Sequence, residues 1–151
     1  MIKHILMLIF CATVSLLGAQ ITGTTTYDFR DGSIISAGQS PDGKLKLSGN
    51  YSFHSANYGL NMKVNGEIKL DVAGSSTIRF LGSQYSGLKM EGSAGTAGDL
   101  GTLNTKVQND LSDVFEFTYA GPATQLTFKL VSGSGNDLYL PKIDVIPAQS
   151  G

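Results

Sequence analysis

Residues 20–147 predict an all-β fold, an antiparallel β-sandwich of the jelly-roll kind. Three observations carry this. Apolar and polar residues alternate along almost the whole segment, the period of strands with one face buried and one wet. Turn signals recur between the alternating runs, many of them among the 19 glycines. No run of useful length shows helical spacing.

The elements follow in order. Short strands are expected near 25–29, 33–36, 44–48, 51–54, 58–64 and 67–73. More are expected near 76–81, 87–92, 102–107, 113–119, 124–131 and 138–146, with some merging. In "YGLNMKV", Tyr58, Leu60, Met62 and Val64 share a face. In "EIKLDV", Ile68, Leu70 and Val72 point in and Glu67, Lys69 and Asp71 point out. "VFEFTY" groups Phe115, Phe117 and Tyr119, and "TQLTFKL" groups Leu126, Phe128 and Leu130. "SPDGK" at 40–44 is a tight turn, with Pro41 presetting φ and Gly43 supplying a left-handed residue. Asn65-Gly66 in "VNGE" predicts a hairpin between the runs on either side. "SAGTAGDLGT", 93–102, reads as a loop.

Residues 1–19 have the layout of a secretory signal peptide, cleaved after Ala19. Lys3 gives the cationic start, Ile5–Leu17 the apolar run, and Gly18-Ala19 the small residues before the cut. The apolar run is shorter than the roughly 20 residues of a membrane span. Residues 148–151 read as a frayed end or the start of a linker. The expected location is therefore secreted, periplasmic or cell-surface.

Cleavage removes Cys11, His4 and Lys3. The mature chain has no thiol and one histidine, His54, and ten basic residues face twelve acidic ones, a net charge of −2. That balance offers no basic patch for nucleic acid or an anionic membrane, and no membrane span is expected in the mature chain. Without cysteine or further histidine, zinc sites and Cys-His catalysis are excluded. His54, in "YSFHSANYG", has no nucleophile elbow or carboxylate at a telling spacing. No pair among Asp71, Glu67 and Glu116 stands out as a glycosidase couple. No cofactor is called for. A structural calcium ion is possible at Asn109, Asp110 and Asp113 of "QNDLSD", because calcium takes clustered oxygen ligands. Asn136 and Asp137 of "GSGNDLY" are a second such group. The competing account is turn chemistry, in which these side chains bond their own backbone. "NYS" at Asn50 matches a glycosylation acceptor in a eukaryotic secretory pathway.

Sugar binding needs a flat aromatic surface and a few planar polar groups. Strand parity places Tyr27, Tyr58 and Tyr119 in the core and leaves Tyr51 and Phe53 ambiguous. Tyr139 lies opposite in parity to Leu138 and Leu140, so it faces out. Tyr85 sits in the loop "GSQYSG". The expected ligand-binding set is Tyr85 and Tyr139 with Gln84, Asn136, Asp137 and Arg79.

"YDFRDGSII", "GLNMKVNGEIKLDVAGSSTIRFLGSQYSG", "TKVQNDLSDVFEFTYAGPATQLTFKL" and "NDLYLPKIDVIP" together carry a resemblance. Over residues 25–147 the chain resembles the noncatalytic β-sandwich modules of secreted bacterial polysaccharide-active enzymes, pectin-degrading ones among them. Those modules are similar to galactose-binding-like jelly rolls and carbohydrate-binding modules. The resemblance implies glycan binding by loops at one end of the sandwich, no catalysis, and a tethered enzyme domain as a possible partner. The sequence departs from it in having no tryptophan. The alternative function is a structural or adhesive surface protein that assembles through β-edges.

Overall fold

The computed structural model describes residues 23–84, 89–94, 99–104, 108–132 and 137–149, with side chains described in 23–82, 114–131 and 137–149. Among the described residues nine strands form one antiparallel sheet: β1 Thr25–Asp28, β2 Leu45–Ser48, β3 Tyr51–Ser55, β4 Gly59–Met62, β5 Glu67–Gln84, β6 Lys89–Ala94, β7 Asp99–Asn104, β8 Gln108–Ser132 and β9 Leu138–Pro147. One short helix, α1 Ser33–Ala37, joins β1 to β2. The main path through the sheet is β3-β4-β9-β5-β8-β6-β7, with β1 added beside β9 and β2 beside β5.

The sheet becomes a sandwich because its long strand β5 changes neighbours along its length. Along one side of β5, residues 67–70 pair with β2 and residues 76–84 with β9. Its other side pairs with β8, with register shifts at Gly74/Ser76 and Gly82/Gln84. Such shifts bend and twist a strand. Ring contacts show that the two halves meet. Phe128 lies opposite Ile68 and Phe117 lies opposite Ile78 in register, yet the Phe117 and Phe128 centroids are 5.1 Å apart. Phe80 also lies 5.1 Å from Phe128. Phe29, Phe80, Phe128, Ile68, Leu70 and Ile78 are fully buried.

Several expectations about local structure change. Residues 33–36 are helical rather than extended. Asp31 accepts from the N–H and Oγ of Ser33 at 2.8 and 2.7 Å, and Ser36 N–H donates to Gly32 O at 2.9 Å. Ile34 and Ile35 are both buried, which adjacent residues on a half-buried strand cannot achieve. The Asn65-Gly66 turn is real but joins no hairpin. Only Asn65 has positive φ, at 71°, and its N–H donates to Leu130 O at 2.8 Å. β4 and β5 therefore do not pair with each other: at the turn β4 lies beside β3 and β9, and β5 beside β2 and β8. Of the loop expected at 93–102, residues 93–94 belong to β6 and 99–102 to β7, and 95–98 lie outside the described residues. The runs at 67–73 and 76–81 merge into β5, and those at 113–119 and 124–131 into β8. The turn at 40–44 is as expected: Gly43 has φ 69° and Gly43 N–H donates to Ser40 O at 2.9 Å.

Among the described residues no helix is long and apolar enough to cross a membrane.

Candidate functional site

The site begins with β3 and β4, joined by a tight hairpin over residues 56–58. Ser55 pairs with Gly59 after a register shift at Phe53/Ser55. Gly59 has φ 65°, and a Cβ there would sit 2.8 Å from Leu140 O. Only glycine fits such a position. This turn corrects the assignment of Tyr58 to the core. A left-handed residue between Tyr58 and Leu60 breaks the alternation on which that parity rested. Tyr58 is half-buried and turned toward other rings instead.

Those rings are His54 and Tyr139. The centroid of His54 lies 4.9 Å from Tyr58 and 4.9 Å from Tyr139, and Tyr58 lies 5.2 Å from Tyr139. All three contacts are edge-to-face, the geometry that aromatic quadrupoles favour. Tyr139 is partly exposed on β9 between the fully buried Leu138 and Leu140, as its strand parity requires.

A polar group adjoins the rings. Asn61 is the cross-strand partner of Tyr139 and of Ser52. Opposite residues of antiparallel strands share a face, so Asn61 and Tyr139 lie together on the outer side. Asn61 Nδ2 donates to Asp137 Oδ2 at 2.8 Å, and Lys63 Nζ approaches the same oxygen at 4.0 Å. Asn61 is only 7% exposed and its Oδ1 is buried without a partner among the described residues. This arrangement can place an apolar ring face beside a carboxylate acceptor and an ammonium donor. His54 Nδ1 lies 3.2 Å from Ser55 Oγ on an exposed surface, and no described carboxylate orients that ring. The triad logic of base and orienting acid is not met.

The other expected residues fall as follows. Arg79 lies elsewhere on the outer surface. Its Nε donates to Glu116 Oε1 at 2.6 Å, and it stands opposite Asp144 in register, whereas Tyr139 stands opposite Ser83. Four strand positions separate Arg79 from Ser83, about 13 Å at strand rise. Asp144 itself accepts from Thr26 Oγ1 at 2.7 Å and lies 3.5 Å from Lys142 Nζ. Gln84 is placed by its backbone in β5, opposite Leu138 of β9. Tyr85 and Asn136 lie outside the described residues. Asn109, Asp110 and Asp113 belong by their backbone to β8, with Asp113 opposite Gly82. The chain there is strand, and the side chains of these three residues lie outside those described. Among the described residues no group of three or more His, Cys, Asp or Glu side chains is placed to hold a metal.

Sequence alone raises His54 only as a catalytic group and assigns neither His54 nor Asn61 to binding. A signal for His54 was available in its spacing of four from Tyr58 across a hairpin that ends in glycine. Asn61 had none, since an outward asparagine on a strand reads as solvated.

No protein-family profile matches the sequence, and no curated protein matches it. Solved structures do match in fold. The first is a carbohydrate-binding module, CBM36, in complex with calcium and xylotriose: TM-score 0.52, 16% identity, covering 80% of this chain and 98% of that one. The CBM36-1 domain of a multidomain xylanase from the hindgut metagenome of Trinervitermes trinervoides matches with TM-score 0.55 and 11% identity, over 84% of this chain and 99% of that one. A family two carbohydrate esterase from Cellvibrio japonicus matches with TM-score 0.58 and 10% identity, over 84% of this chain but 34% of that one. The fold is the β-sandwich of carbohydrate-binding modules. At these identities the likeness concerns architecture, and the binding residues rest on this chain's own geometry.

Proposed function

We propose that this chain is an exported, noncatalytic module that holds a polysaccharide on the outward face of β3, β4 and β9. The observation that carries the proposal is the contact of His54, Tyr58 and Tyr139 beside Asp137. Ring surfaces of this kind suit the apolar face of a pyranose, and the neighbouring carboxylate and ammonium suit its hydroxyls. Asp137 and Tyr139 come from the sequence reading, and His54, Tyr58, Asn61 and Lys63 join them. Tyr85, Gln84 and Asn136 extend the proposed site from the connection after β5 and the chain before β9. Support for the ligand class comes from the neighbours, one of which was solved with xylotriose and calcium. Binding of this open kind is weak per site and gains from tethering to an enzyme or a second module.

Affinity electrophoresis tests the proposal. The chain is run through gels containing xylan, β-glucan, pectin or chitin derivatives, each with calcium and with chelator. We expect retardation by one polymer class and its loss in Tyr139→Ala and Tyr58→Ala. Lys63→Ala should weaken it by a smaller factor. Retardation untouched by Tyr139→Ala would move the site elsewhere. No retardation in any gel, with self-association in its place, would support assembly through β-edges.

A further inference from the structure

The outer face of β2, β5 and β8 carries a charge pattern unlike the rest of the molecule. Elsewhere the described cations are matched: Arg30 lies beside Asp28, Lys63 beside Asp137, Arg79 beside Glu116 and Lys142 beside Asp144. On this face two are not. Lys46 of β2 stands directly opposite Lys69 of β5, which stands opposite Thr127 of β8. The residues flanking them, Leu45, Leu47, Ile68, Leu70, Leu126 and Phe128, are buried. By alternation the three therefore point outward together. Lys129, two residues on from Thr127, joins them as a diagonal neighbour of Lys69, about 7–8 Å away. Lys129 stands opposite Glu67, but that carboxylate lies 3.4 Å from Lys69 Nζ. Asp71, opposite Gln125, accepts from its Nε2 at 2.9 Å. Lys46 and Lys129 are exposed and make no ion pair among the described residues. Glu91 of β6 is placed opposite Lys129 by its backbone. Like charges directly opposite on a sheet are destabilising, and the fold gains nothing from a second lysine beside Lys69. A conflict of this kind is expected where a surface serves binding rather than stability.

We infer that this face binds an acidic polysaccharide, a polymer with a carboxylate on successive sugar residues, laid across the strands. Gln39 stands on the other side of Lys46. Gln39, Lys46, Lys69 and Thr127 therefore form one line across four strands, about 14 Å long at strand spacing. The two ammonium groups take carboxylates, and the amide and hydroxyl at the ends take sugar hydroxyls. Lys129 widens the line toward a further carboxylate. Charge complementarity selects this occupant over others. The outward side chains here are polar, which suits a hydrophilic polymer and not an apolar peptide. Glu67 and Asp71 lie among the lysines, so a densely charged chain such as duplex DNA meets repulsion that sparser carboxylates avoid. The mature chain as a whole is acidic, with ten basic residues against twelve acidic ones, so attraction is confined to this face. The face is also separate from the candidate site above. Residues 67–71 lie at the opposite end of β5 from Ser83, the partner of Tyr139. Each contact with an exposed lysine is weak, and several along one polymer add by multivalency.

Affinity electrophoresis of the full chain tests this, with polygalacturonate as the probe and its methyl ester as the same backbone without charge. We expect retardation by the acid and none by the ester. Lys46→Gln and Lys129→Gln should each weaken it about twofold to fivefold, the range of one exposed ion pair. Raising salt from about 0.1 M to about 1 M, which cuts the screening length from about 10 Å to about 3 Å, should abolish it. The same Lys46→Gln variant should melt at a higher temperature than the parent, because the repulsion with Lys69 is gone. Gain of stability with loss of binding is the signature of a binding surface, and a merely structural lysine would not give it. Retardation that persists in a chain failing to bind any neutral polymer would support this face while overturning the reading of the Tyr139 face. Equal retardation by the ester, no effect of either lysine change, or equal retardation by duplex DNA overturns the proposal.

Discussion

Asn61 is the residue on which the polar part of the candidate site turns. One end of its amide holds Asp137 at 2.8 Å, and the other end is buried without a partner among the described residues. A hydrogen bond to a charged acceptor is worth about 1.5–3 kcal/mol, and an unmet buried acceptor costs about 1–3 kcal/mol. The two nearly cancel. Asn61→Ala should therefore change stability by less than about 1 kcal/mol, read from denaturant midpoints. The same change should release Asp137 and weaken polysaccharide retardation. A large loss of stability would show that Asn61 is a packing residue and nothing more. Tyr139 differs in kind, because its position follows from parity alone and was legible in "NDLYLPK". Tyr58 was misplaced because parity cannot be carried through Gly59, whose φ of 65° turns the chain.

At the level of elements, the site is held by β9 against β4 and β5. β5 approaches closely at Gly82, where an added Cβ would lie 2.7 Å from Tyr139 O and 2.8 Å from Leu140 Cδ2. The first of these is backbone, which cannot swing aside, and Gly82 borders the register shift at Leu81/Ser83. Gly82→Ala should cost roughly 1–3 kcal/mol through forced displacement. Because the displaced strand carries Tyr139, retardation should fall as well. Unchanged melting with unchanged retardation would show that β5 and β9 can separate freely at this point. Pro141, which has no N–H, sits where the neighbour of β9 changes from β4 to β1, the kind of position a sheet tolerates for proline. Its carbonyl still accepts from Phe29 N–H at 2.9 Å.

For the whole molecule, stability at the pH extremes is set by groups around β1 and the turn before β2. The Arg30 guanidinium holds Asp28 below the usual carboxylate range. Burial pushes Asp42 up, but bonds from Ser40 Oγ, Lys44 N–H and Tyr27 OH outweigh it and leave it lowered. Both carboxylates therefore bind protons less readily folded than unfolded. Their contribution is present above about pH 4, the ordinary carboxylate value, and is lost as pH falls through the folded values. Burial and Asp42 raise the Tyr27 hydroxyl, so stability should also fall above about pH 10, where only the unfolded tyrosine ionises. Asp42→Asn should flatten the acid limb of a melting-temperature profile between about pH 2 and 5; an unchanged limb would remove Asp42 from this role. The sequence by itself determined most of the strands and their buried faces, 33–36 and Tyr58 excepted, together with the turn at 40–44 and the exposure of Tyr139. Each of these depends on neighbours within a few residues, and period and turn chemistry report such neighbours. Only the tertiary structure decided that β4 and β5 part after Asn65-Gly66, that the halves of β5 take different partners, and that His54 and Tyr58 meet Tyr139. The contacts of His54 and Tyr58 with Tyr139 join residues about 80 positions apart, and no local pattern encodes a pairing made across the sheet.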